Sequence, residues 1–89
     1  MAVHNLRSQE ARNDAGVILR SVDRETMQLE YQGRTLNVGV DRAPGNYGVY
    51  LPAAPLWTDG EPVDAHTAVI LQDAIREILG HWGIRAELL

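Results

Sequence analysis

Between residues 26 and 51, apolar and polar positions alternate in three successive runs. Met27, Leu29 and Tyr31 alternate with Gln28, Glu30 and Gln32; Leu36, Val38 and Val40 repeat the spacing, and Tyr47, Val49 and Leu51 repeat it again. A period of two places each apolar set on one face of a strand and turns the polar set to water, as a half-exposed antiparallel sheet requires. Ahead of these runs, the cluster Val17-Ile18-Leu19 followed by Arg20 and Ser21 predicts a first strand over residues 17–22. The connections are short. Gln32-Gly33 reads as a tight turn, and residues 41–46, with Pro44 and Gly45, read as a loop. Four strands joined this closely form a meander.

The period changes after Pro62. Asp64 is placed to cap a helix, because its carboxylate accepts from free amides of the first turn and opposes the positive end of the helix dipole. Helical spacing then sets Ala68, Leu71, Ile75, Ile78 and Trp82 on one stripe, with Gln72, Asp73, Arg76 and Glu77 opposite. Gly83 is the expected stop; Gly80 either costs about 1 kcal/mol inside the helix or ends it sooner. Ile84, Ala86 and Leu88 alternate with Arg85 and Glu87 and predict a closing strand whose place in the sheet stays open. Residues 52–62 hold three of the four prolines and predict an irregular loop, yet carry Leu56 and Trp57 at its centre. Residues 1–15 have few large apolar side chains and predict a mobile tail. The expected architecture is therefore α+β: a tail over 1–15, then a single domain over 16–89 made of a four-stranded antiparallel meander, one C-terminal amphipathic helix and a short final strand joining the sheet.

Composition narrows the function classes. A chain of 89 residues has room for one modest core, and 45% hydrophobic against 22% charged residues marks a folded rather than a disordered protein. The absence of cysteine rules out disulfides and thiolate metal sites, and it fits a reducing, cytoplasmic location. With no apolar run of signal-peptide length and none of about 18 residues, neither secretion by that route nor a place in the membrane is expected. The cations are all arginine, eight against twelve acids, for a net charge of −4. Nucleic acid binding is driven by cationic neutralisation of phosphates, so this sign argues against it and favours a basic protein partner. Between residues 41 and 66, Asp41, Asp59, Glu61 and Asp64 face Arg42 alone, which makes this segment an acidic patch.

The usual catalytic constellations are not visible. His4, His66 and His81 do not have the spacing of a metal-ligand motif, and His81 has a simpler role beside the negative end of the helix dipole. Ser8 and Ser21 are the only serines and neither lies in a nucleophile elbow; the glycines match neither a Walker loop nor a dinucleotide fingerprint. Asp59, Glu61 and Asp64 lack the calcium-loop pattern and read as solvated loop acids and a cap. No catalytic residue, metal or cofactor is expected. Trp57 has two readings: a ring plugging the edge of a small core, or an interface anchor rimmed by Asp59 and Glu61.

Three stretches stand out: Tyr47-Gly48-Val49-Tyr50, the run Trp57-Thr58-Asp59-Gly60-Glu61-Pro62-Val63-Asp64, and the ending Ile75…Leu79…Gly83-Ile84-Arg85-Ala86-Glu87. Together they resemble the immunity protein 74 family, small proteins thought to neutralise toxin domains of bacterial polymorphic and contact-dependent competition systems. The resemblance covers residues 16–89. It implies inhibition by binding: the chain would cover a toxin's active site or substrate groove without catalysis of its own. An acidic surface suits that role, since opposite charge speeds encounter with a basic toxin. The expected binding residues are Asp41, Arg42, Tyr50, Trp57, Asp59 and Glu61, on a monomer or a weak homodimer that could pair through the edge near residues 84–89.

Overall fold

The computed structural model describes residues 2–89. It contains one sheet of seven strands and one helix: β1 (Val3–Arg7), β2 (Glu10–Asn13), β3 (Ile18–Ser21), β4 (Thr26–Tyr31), β5 (Arg34–Ala43), β6 (Asn46–Tyr50), α1 (Ala65–His81) and β7 (Arg85–Leu88). The strands lie in chain order from β1 to β7, antiparallel except for the parallel pair β6–β7. The expected meander is β3 to β6. Two features differ from expectation: the sheet has seven strands rather than four and a closing one, and residues 3–13 are two strands of it rather than a mobile tail.

Local chemistry accounts for most of these elements. Tyr31 pairs with Arg34 around Gln32-Gly33, whose φ angles of 52° and 78° are the left-handed pair that a two-residue hairpin turn demands. Inward-facing residues stack in rows across the ladders: Ala11, Leu19, Leu29 and Leu36 form one row, and Met27, Val38 and their neighbours another. On the outer face, Arg20 ties three strands together, its guanidinium donating to Glu10 Oε2 at 3.0 Å, Gln28 Oε1 at 2.7 Å and Glu30 Oε1 at 3.1 Å. Partial burial alone would lower the pKa of Arg20, but the two carboxylates outweigh it and raise it.

The polypeptide then crosses over the concave side of the sheet as α1 and returns as β7 beside β6, the βα-type connection that a parallel pair requires. Leu71, Ala74, Ile75, Ile78 and Leu79 are fully buried against the sheet, and the helix packs on β1, β2, β3 and β7. Gly80 stays helical. The helix ends in a Schellman motif: Gly83 takes φ 76° and its amide donates to Gly80, while Ile84 N reaches Leu79 O at 2.8 Å. No helix is long and apolar enough to cross a membrane.

At the other end of α1, Asp64 Oδ1 accepts from Thr67 N at 2.7 Å. That bond, first among its causes, holds the Asp64 carboxyl below its usual range. A depressed folded-state pKa means that the cap's contribution is present above the unfolded value and is lost as pH falls through the folded one. Urea midpoints should accordingly drop as pH is lowered below about 4. Asp64→Asn, which caps without ionising, should flatten part of that drop; an unchanged acid profile would remove Asp64 from the cause.

Candidate functional site

The loop that follows β6 is more ordered than its prolines suggest. Trp57 N donates to Glu61 O at 2.9 Å, Leu56 bridges Pro62, and Thr58 N docks on Thr35 O at 2.9 Å, closing the loop against the start of β5. This folds Trp57 inward. Its ring is 6% exposed, joins the core cluster, and is covered by the Arg34 guanidinium 5.0 Å above its centroid. Arg34 in turn pairs with Asp59 at 3.1 Å. The Glu61 amide, ahead of Arg34, keeps the Asp59 carboxyl below its usual range. Trp57 therefore lies in the core, and of its expected acidic rim Asp59 is tied to Arg34 while Glu61 is exposed on the loop.

The other expected residues lie elsewhere. Thr35, beside the Trp57 loop, and Asp41 are six residues apart on β5, roughly 20 Å at strand spacing. Asp41 and Tyr50 share the outer face: Gly39 pairs with Tyr50 and Asp41 with Gly48, and the Tyr50 ring lies over Gly39, where a Cβ would meet Tyr50 Cδ2 at 3.6 Å. Asp23, Arg24 and Glu25, from the β3–β4 turn, line an open groove with Asp41, Arg42 and Tyr50. Tyr50 is 50% exposed. These residues form one surface of three carboxylates, two arginines and an aromatic ring, separate from the Trp57 loop.

Arg42 borders this groove but turns toward the opposite face. It continues the inward row of Leu36, Val38 and Val40 because β5 runs on to Ala43, where a loop was expected from Asp41. Its Nη2 donates to Ser21 Oγ at 2.6 Å and to Asp23 O at 2.8 Å, and the guanidinium lies 5.3 Å above the Tyr47 ring centroid. It lines a cavity of about 400 Å³ at one end of the curled sheet, bounded by the β1–β2 turn, by Ser21 and Tyr47, and by Trp82. Trp82 closes the gap between the sheet's two ends, its Nε1 donating to Asn5 Oδ1 at 2.9 Å. Reading the sequence did not reveal this cavity. Its one local signal was the period-two row of β5 carried two residues further.

Among the described residues, no three His, Cys, Asp or Glu side chains stand close enough together to hold a metal ion. Comparison with protein-family models, with curated proteins and with solved structures found no match to this chain.

Proposed function

We propose that this chain acts by binding, as a non-catalytic domain whose acidic outer face docks a basic protein domain, in the way an immunity protein masks its toxin. The observation that carries this reading is Tyr50: a half-exposed aromatic ring laid across Gly39, beside Asp41, with Asp23 and Glu25 across the groove. Tyrosine is enriched among the residues that anchor protein interfaces, and surrounding charge steers encounter and sets partner choice. The net charge of −4 and the stretches that resemble immunity proteins support the same partner class.

A second reading, self-association through a sheet edge, has β7 as its motivating feature, since this strand pairs only with β6. The edge is four residues long and alternates charged Arg85 and Glu87 with Ala86 and Leu88, the devices that blunt strand pairing. Partner binding is favoured over it.

Affinity capture with the tagged chain from its native cell tests the proposal. The wild type should retain a stoichiometric basic protein, and Tyr50→Ala or Asp41→Lys should weaken that retention by about tenfold or more. Equal retention by all three proteins would remove the outer face as the docking surface.

A further inference from the structure

We propose that the concave cavity is a binding site for a small organic anion, a carboxylate, phosphate or sulfonate borne on a flat apolar body. This is a second site, centred on the opposite side of β5 from the proposed docking face; Arg42 borders both, and the proposal does not depend on that reading. The first observation is charge. The cavity lining includes Arg7 and Arg42 and no carboxylate, although the chain as a whole carries −4.

The second observation is the state of Arg42. Among the described residues Arg7, Arg20, Arg34 and Arg76 have carboxylate partners and Arg12, Arg24 and Arg85 are exposed, whereas Arg42 is half-buried and held only by neutral acceptors and an aromatic face. Its Nε is buried with no hydrogen-bond partner. A guanidinium withdrawn from water without a counter-charge is costly, and an anion at its open side relieves that cost. Ser21 Oγ and the Asp23 carbonyl both accept from Nη2 and fix the plane of the guanidinium, so an anion meets its remaining hydrogens rather than a free two-pronged edge. The cation is thus oriented before a ligand arrives.

The third observation is the shape of the walls. Tyr47 and Trp82 offer two aromatic surfaces, Met27 and Ile84 add apolar ones, and the Asn5 hydrogen bond holds the indole in place. A volume of about 400 Å³ falls in the range of small-molecule pockets. Apolar walls with one oriented cation select a flat ligand with a single anionic group over inorganic phosphate alone.

The test uses the intact chain and two dyes with matched rings: 8-anilinonaphthalene-1-sulfonate, which carries the anion, and N-phenyl-1-naphthylamine, which lacks it. The sulfonate should bind saturably at one site. It should shift the Trp82 indole N–H and Arg42 Nε–H resonances and leave the Trp57 indole in place. Arg42→Gln should weaken the sulfonate by about tenfold or more and leave the amine unchanged, with Arg42→Lys falling between. Should Arg42→Gln fail to fold, Arg7→Gln, at a side chain 84% exposed, should still weaken the sulfonate alone, by about two- to threefold. Equal binding of the two dyes by the wild type, or shifts confined to residues outside the cavity, would overturn the site.

Discussion

Trp57→Ala should cost about 3–5 kcal/mol of folding stability, the range for removing a large buried aromatic side chain. The ring is 6% exposed within the core cluster, and its loop is tied down around it by the Trp57–Glu61 and Thr58–Thr35 bonds. Truncation would remove the transfer free energy of the indole, leave a cavity under Arg34 and take away the face on which that guanidinium rests. A small domain holds only about 5–15 kcal/mol in all, so the variant should unfold at a much lower denaturant concentration. Tyr50→Ala is the matched control. An exposed side chain away from caps and buried networks should change stability by no more than about 0.5 kcal/mol. Urea unfolding of both variants checks the pair, and a Trp57→Ala shift under about 1 kcal/mol would mean that the ring is not a core residue. Loss of partner binding in Trp57→Ala would then report unfolding rather than an interface contact.

Deletion of residues 2–15 should abolish cooperative folding. These residues form β1 and β2, on which α1 packs, and Ala11 is fully buried opposite Leu19. Asn13 is buried too: its Oδ1 accepts from Val17 N at 3.0 Å and its backbone N–H donates to Val17 O at 3.1 Å, which fixes the turn into β3. Without this segment, Leu19 and one side of the helix face water, the Val17 amide loses its partner, and β3 becomes a raw edge. The combined loss exceeds what a marginally stable domain can absorb. Amide resonances of the truncated chain should collapse into the narrow range of an unfolded protein. A dispersed spectrum with a near-native urea midpoint would show the first two strands to be dispensable.

The same two elements show where reading the sequence reached its limit. Strands β4, β5 and β6 announce themselves because their inward positions carry Met, Leu and Val, and α1 does so through its stripe, its Asp64 cap and its Gly83 stop. Along β1 and β2 the inward positions are Val3, Asn5, Ala11 and Asn13. They are small or polar: α1 packs against these strands with its own large side chains, and Asn13 spends its amide on a turn. A strand whose partners supply the bulk has no apolar alternation of its own to read.

The sites failed to show for a related reason. Asp41 and Arg42 are adjacent in the chain, but strand alternation turns one to the outer face and the other toward the cavity. Trp57 and Asp59 lie near Tyr50 in sequence, whereas the docking of Thr58 on Thr35 carries that loop to the far end of β5. The cavity joins Asn5 to Trp82, 77 residues apart, and no spacing motif encodes such a meeting. What could be read was the chemistry: an acidic chain with few aromatic residues and a segment, residues 41–66, rich in carboxylates.

The most direct test of the account is a titration of the captured partner into the wild type and into Tyr50→Ala and Asp41→Lys, at low and at physiological salt. Binding at the outer face predicts one-to-one association that tightens at low salt in the wild type. It predicts about tenfold or greater weakening in both variants, with the salt dependence reduced in Asp41→Lys. Variants that bind as tightly as the wild type, with the same response to salt, would contradict it.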